Sequence, residues 1–415
     1  MTTNDNLPEV ERYARSFDDR VATVLPDAAR RCPGLARRLT DAGLRADELT
    51  DVAALDRLPV VSKDELLEQQ RAEPPFAGLV ASDAPVRRIF QSPGPLYEAE
   101  LDVPDPWRWA PALRAAGFGP GDVVLNAFGY HLSPAGAMFE EGARAVGACV
   151  VPAGVGNLDL QARACLDLGV TGYIGLPSYL RSLVERIESL RAEDGADTSG
   201  PVLERAFVTA EPLPPSLREW LTARVPVVRQ GYGTAEGGNL GYESDALDGM
   251  HVPADALVQI CDLSTGAAIH DGREGQVVVT VFHADAPVVR LGTGDLSAWA
   301  TDATTSTEPT PRIRGWLGRV GDAVKVRGMF LHPRQVVAAM AGLEGVTAFR
   351  FVIDRIEHRD ELRCEVVTDD GVDTATLFDT IRTRVREGLR FNVEVVAAET
   401  LPAEGGPVHD VRTWD

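Results

Sequence analysis

The sequence predicts an α/β protein: a large N-terminal domain with parallel αβ sheets plus a β-rich subdomain, and a small α+β C-terminal domain. Three observations predict it. Between residues 121 and 232, short apolar runs alternate with longer stretches of helical periodicity. After residue 255 the apolar runs follow one another with no helix between them. Beyond a Gly- and Arg-rich connection near Gly318–Arg319 the order becomes hairpin, helix, strand. The boundaries expected from this are 1–317, a hinge over 318–322, and 323–415.

Residues 1–80 read as helical and loop-rich. Ser62 stands as the N-cap of a helix over 63–71, and Glu65, three residues on, completes a capping-box spacing. GDVVLNAF (121–128) reads as a buried strand and 134–147 as a helix with Pro134 near its start. CVVPAG (149–154) is the next strand and 158–168 the next helix. TGYIGLP (171–177) is followed by a helix over 178–191, with Leu180, Leu183, Val184 and Ile187 on one face. Segments 206–209, 216–224 and 227–232 continue the alternation. Strands separated by helices imply a parallel sheet with right-handed crossovers. The strands-only region comprises 256–263, 275–282 and 287–292. A hairpin over 347–368, a helix over 374–391 and a final strand over 393–398 complete the chain, and 301–311 (TDATTSTEPTP) has loop composition.

The chain has 415 residues, 44% of them apolar and 25% charged, which suits two or three soluble domains with a sizeable core. A net charge of −21 argues against nucleic-acid binding, which needs clustered Lys and Arg. Cys32, Cys149, Cys165, Cys261 and Cys364 form no CxxC pair and are odd in number, so neither a disulfide framework nor a zinc ribbon is expected. A reduced, cytoplasmic setting follows as the expectation. No apolar run approaches membrane-span length, so no membrane association is expected. Among the 41 basic residues only Lys63 and Lys325 are lysine, so chemistry that needs a lysine has two candidates.

In open α/β sheets, ligands bind at the carboxyl ends of the strands. Three segments fall there: FGYHLSP (128–134), AEP (210–212) and GYGTAEGG (231–238), which together imply one cleft. Each is also compatible with a plain βα turn. The glycines of GYGTAEGG let backbone amides approach a phosphate, with the Thr234 hydroxyl beside it and the Glu236 carboxylate two residues on as a hard ligand for Mg²⁺. LGTGDLS (291–297) places Asp295 after a strand and a Gly-x-Gly turn, where it would accept from both ribose hydroxyls or stabilise the turn. GRVGDAVKVRG (318–328) gathers Arg319, Lys325 and Arg327 in an acidic chain, with Asp322 where a backbone hinge would fall. A charged surface hairpin is the alternative there.

These segments resemble the motifs of the adenylate-forming superfamily of acyl-CoA synthetases, adenylation domains and luciferases, most closely its phenylacetate–CoA ligase-like branch. The matching stretches are Tyr232-Gly233-Thr234-Ala235-Glu236, Thr293-Gly294-Asp295 and Gly318-Arg319 through Gly328, in that order. The resemblance extends over roughly 60–415. It implies that Tyr232 packs on adenine, with Ala210, Glu211 and Pro212 lining its other side. Ser92, Gly233 and Thr234 would contact phosphate, Glu236 the magnesium, Asp295 the ribose, and Arg319 the ribose or phosphate. Asp322 would be the hinge of a mobile C-terminal domain, and Lys325 would face the cleft during thioester formation. Phe128, Tyr130, His131 and Pro134 would line the pocket for a carboxylic acid. The reaction implied joins the acid to AMP from ATP, releases pyrophosphate, and passes the acyl group to a thiol, most directly CoA. An acyl carrier protein or an amine are alternative acceptors, a homodimer is allowed, and a nucleotide-binding homologue with impaired adenylation is a further alternative. An aryl acid is favoured because Phe128 and Tyr130 offer ring surface.

The sequence departs from that pattern twice. The phosphate loop, Gln91-Ser92-Pro93-Gly94-Pro95-Leu96-Tyr97-Glu98, has one glycine and two prolines, and proline has no amide hydrogen to donate. Glu98 would add a negative charge beside the triphosphate. Near the C-terminus, Gly406 stands where the family carries its adenylation lysine, and no lysine follows Lys325. Losing one such charge-assisted contact costs about 2–4 kcal/mol in the transition state, so slow adenylation is expected.

Overall fold

Five short parallel strands form the centre of the larger sheet. In spatial order they are Cys149–Pro152, Val123–Asn126, Gly172–Gly175, Arg205–Val208 and Val227–Thr234. Val124, Leu125, Tyr173, Ile174, Ala206 and Phe207 are buried, as strands covered on both faces require. The connecting helices are Ala135–Ala145, Leu158–Leu168 and Pro177–Glu193. The last buries Leu180, Leu183, Val184 and Ile187, the face its periodicity predicts. Gly238–Tyr242, Met250–His251 and Arg312–Ile313 continue the sheet in antiparallel pairing, making eight strands. In this computed structural model the described residues are 9–413, apart from 93, 196–199, 302–307, 322–323, 328, 332, 357, 370 and 403–405.

A second sheet is an antiparallel meander of Ala256–Cys261, Gly275–Val281 and Val288–Ser297, with Gly318–Arg319 at its edge. Its third strand is longer than the sequence suggests. Pairing continues to Gly275↔Ser297, so Asp295 lies within the strand and not in a turn after it. Gly292 pairs with Val278, and Gly294 falls in the irregularity of register between that pair and Gln276↔Leu296. The N-terminal helices Glu9–Arg15, Asp18–Arg31 and Pro33–Asp41 share a core with this sheet. The Tyr13 hydroxyl bonds to the Ala256 carbonyl (2.7 Å) and accepts from the Val258 amide (3.1 Å).

The segment before helix Lys63–Ala72 is sewn to the same strand. Val61 N–H donates to Arg290 (3.0 Å) and Gly292 N–H donates to Val61 (2.9 Å). The capping box forms as its spacing predicts: Ser62 N–H reaches Glu65 Oε2 (2.7 Å) and Glu65 N–H reaches Ser62 Oγ (3.2 Å).

The chain divides into two units, Met1–Leu213 with Arg218–Gly318, and Pro214–Leu217 with Arg319–Asp415. Within the second, a small hairpin (Val324–Val326 with Met329–Leu331) precedes helix Pro333–Met340. The long hairpin Val346–Ile356 with Arg359–Thr368 packs on helix Thr374–Leu389. Strand Glu394–Ala397 pairs beside Arg359–Thr368, but it is not the last strand. Val408–Asp410 pairs with Val346–Ile356 on the other side, covering an edge whose Phe351 and Ile353 are fully buried. Among the described residues no helix is long and apolar enough to cross a membrane.

Candidate functional site

Strand Val227–Thr234 leaves the parallel sheet and returns as Gly238–Tyr242. The Gly-rich segment is therefore the end of a strand and a ββ hairpin, not a βα turn. Side-chain space decides this. A Cβ on Gly233 would lie 2.3 Å from the Gly238 carbonyl and 2.7 Å from the Trp109 ring, while Gly238 has φ +66°. Thr234 Oγ1 accepts from the Gly237 amide (2.9 Å), holding the turn that presents Glu236. Arg108 donates to the Gly237 carbonyl, and Asn239 Nδ2 donates to the Arg108 carbonyl (3.1 Å).

Asp295 faces this hairpin. The Tyr232 hydroxyl donates to Asp295 Oδ2 (2.9 Å), and Trp316 Nε1 donates to Oδ1 (3.1 Å). The residues expected at adenine and at ribose are thus hydrogen-bonded to one another across the gap between two sheets.

Glu236 is paired with Lys63, whose Nζ lies 2.7 Å from Oε2. Burial raises the Glu236 carboxyl, but the Lys63 ammonium, together with hydrogen bonds from Thr234 and the backbone, brings it below its ordinary value. Glu98 behaves in the opposite way. Burial first, and the nearby Glu236 second, push its carboxyl well above the usual range. Burial therefore opposes the negative charge expected beside the triphosphate, while Lys63 and Ser92 favour it. Ser92 lies at the mouth of the hairpin Val86–Gln91 with Tyr97–Leu101, its amide donating to Leu96 (2.8 Å). The Ser92 hydroxyl lies beside the Glu98 carboxyl and favours its charged form. A cavity of about 490 Å³ opens beside Glu98 and Glu236, walled by Leu66, Phe76, Leu101, Trp107 and Phe282 among others.

At the neighbouring strand ends, Ala210 has φ +68°, Ser178 Oγ donates to Glu211 Oε2 (2.6 Å), and Gln230 Nε2 donates to the Glu211 carbonyl (3.2 Å). Asn126 Nδ2 donates to the Tyr130 hydroxyl and to the Gly136 carbonyl, both at 2.8 Å. Phe128 stacks on Phe139 with ring centroids 4.8 Å apart. Pro134 is buried and His131 exposed, and none of these four lines the cavity beside Glu236.

Residues 108–281 match the family of AMP-binding enzymes. The chain is 26% identical to the phenylacetate–CoA ligase of Thermus thermophilus, over 96% of this chain and 95% of that one. It is 26% identical to the phenylacetate–CoA ligase of Escherichia coli, over 99% of each. The fold matches 2-hydroxyisobutyryl-CoA ligase in complex with 2-HIB-AMP and CoA at a TM-score of 0.83 and 24% identity, covering 98% of this chain and 91% of that one.

Over residues 108–281 the chain is thus similar to AMP-binding enzymes, and over nearly its whole length to phenylacetate–CoA ligases. Of the residues expected from the sequence to meet the nucleotide, Tyr232, Gly233, Thr234, Glu236 and Asp295 lie together in the first unit. Arg319 and Lys325 lie in the second unit, Arg319 at its start and Lys325, half-buried, in the small hairpin. Asp322 lies outside the described residues. Among the described residues nothing lies within 4 Å of a Cβ built on Gly406. Arg412, the nearest cation in sequence to that position, is taken up by Asp360 (2.9 Å) and Asp410 (2.6 Å) with its side chain 2% exposed.

Among the described residues no three His, Cys, Asp or Glu side chains converge to hold a metal. An adenylate-forming site does not need them to. Mg²⁺ commonly takes one or two carboxylates and completes its shell with phosphate oxygens and water, and Glu236 supplies a suitable carboxylate. Two further residues belong to the site without a sequence signal that places them there. Trp316 stands two residues before Gly318, outside the motif segments. Lys63 follows a legible helix cap, but nothing local ties it to residue 236.

Proposed function

We propose that the protein is an ATP-dependent ligase of an aromatic carboxylic acid, which makes an acyl-adenylate and passes the acyl group to the thiol of CoA. The observation that carries this is the meeting of Tyr232 and Asp295 in a 2.9 Å hydrogen bond within the unit that also pairs Glu236 with Lys63. Carboxylate and α-phosphate are both anions, so attack needs fixed donors and cations. Thr234 would donate to the α-phosphate, and Ser92 to the outer phosphates. Asp295, oriented by Tyr232 and Trp316, would accept from the ribose hydroxyls. Ala210, Glu211, Pro212 and Tyr232 would enclose the adenine. Glu236 would carry Mg²⁺, which supplies charge neutralisation on the phosphates when bound. Phe128, Tyr130, His131 and Pro134 would hold the acid, with Phe128 stiffened by its stack on Phe139.

In the second step the thiol attacks the acyl carbonyl, the C–O bond to AMP breaks, and AMP leaves. Arg319 and Lys325 would serve the two steps from the small domain, turning about Asp322.

A second reading, a homologue that binds nucleotide or acyl-adenylate with impaired adenylation, is favoured by Gly406 and by the paired state of Arg412. Pyrophosphate release with benzoic, phenylacetic and hydroxyanthranilic-type acids, with and without CoA, separates the two. The ligase reading expects release with at least one acid and a CoA-dependent thioester. A chain that binds ATP yet releases no pyrophosphate with any of them supports the second reading and overturns the first.

A further inference from the structure

We propose that Lys63 is the cation that assists adenylation here, supplying from the first unit the ammonium that Gly406 does not supply from the second; this rests on the ligase reading above. Charge bookkeeping points to it. The chain has two lysines, and Lys325 precedes the stretch where a C-terminal lysine is missing. Arg412 is buried against Asp360 and Asp410, so releasing it would leave two carboxylates uncompensated. Lys63 Nζ sits on Glu236, whose turn is closed by the Thr234 hydroxyl, so the ammonium stands within one turn of the hydroxyl assigned to the α-phosphate.

Its position is built and not incidental. Ser62 caps the helix that Lys63 opens, and Val61 is hydrogen-bonded on both sides to the strand that carries Asp295 four residues beyond Leu291. A single strand therefore sets the distance between the ribose acceptor and the ammonium. In the absence of nucleotide the ammonium is held by Glu236. With nucleotide bound, Glu236 would hold Mg²⁺ and the released Lys63 Nζ would donate to the phosphoryl oxygen on which charge grows as pyrophosphate leaves. No proton is transferred in this step; the ammonium acts as a charged donor.

The test compares Lys63→Met, Lys63→Arg and the native chain in two assays: ATP–pyrophosphate exchange with the acid found active, and thioester formation from synthetic acyl-adenylate plus CoA. Lys63→Met is expected to lose exchange by about 100- to 1000-fold. Its thioester formation falls far less, which also reports that the variant is folded. Lys63→Arg keeps the charge and recovers part of the exchange, and adding Gly406→Lys to Lys63→Met restores exchange further. Exchange by Lys63→Met at the native rate overturns the assignment while leaving the ligase reading intact, as does an equal loss in both assays. A native chain that exchanges with no acid overturns both.

Discussion

At the scale of single residues, the site is governed by two glutamates that share a neighbourhood and differ in state. Lys63 favours the charged form of Glu236, while burial favours the neutral form of Glu98. A carboxyl raised in the folded state binds more protons folded than unfolded. Its contribution to stability is complete below the unfolded value of about 4.3 and is lost as pH rises towards the folded one. Glu98→Gln removes that slope. Denaturant unfolding measured at rising pH should show the native chain losing stability faster than Glu98→Gln above the ordinary carboxylate range. Identical slopes would mean that Glu98 is ionised in the folded protein. Asp295 is a different case: both its oxygens already accept from Tyr232 and Trp316, so it is oriented before any ribose arrives.

At the scale of elements, the Gly-rich hairpin works because two strands approach more closely than side chains allow. Gly233→Ala places a methyl 2.3 Å from the Gly238 carbonyl and against Trp109, and neither backbone nor a packed indole yields cheaply. Overpacking of this kind costs about 1–3 kcal/mol. The expected outcome is a lower melting temperature together with weakened ATP binding, because the turn that presents Thr234 and Glu236 is displaced. An unchanged melt and unchanged titration would show that the hairpin opens freely. Helix Lys63–Ala72 makes the complementary point. Its capping box was readable from Ser62 and Glu65, and it fixes where Lys63 begins.

At the scale of the whole molecule, a strongly acidic chain with a local site for a polyanion must concentrate its few relevant cations. Binding confined to the folded state stabilises by about 2.7 kcal/mol at a hundredfold excess over Kd. Thermal melts should therefore shift upward with Mg·ATP. The shift should shrink when a chelator removes Mg²⁺ and vanish in Asp295→Ala. A native chain whose melt ignores ATP at millimolar concentration contradicts the nucleotide site.

The sequence by itself determined the fold class, the order of the parallel strands along the chain, the helix faces and the three motif segments, because these depend on apolar period, caps and the residue types a reaction needs. It misjudged local geometry where glycine-rich stretches were at issue: both Thr234 and Asp295 lie inside strands, since pairing partners distant in sequence decided how far those strands run. It also missed the final strand, whose reason is an exposed edge formed by the 346–356 strand. The tertiary structure alone decided that Lys63 meets Glu236 across 173 positions, that Tyr232 and Trp316 share Asp295, and that burial raises the Glu98 carboxyl. Charge state and proximity are set by burial and by which elements are packed together, and neither is written in any local run of residues.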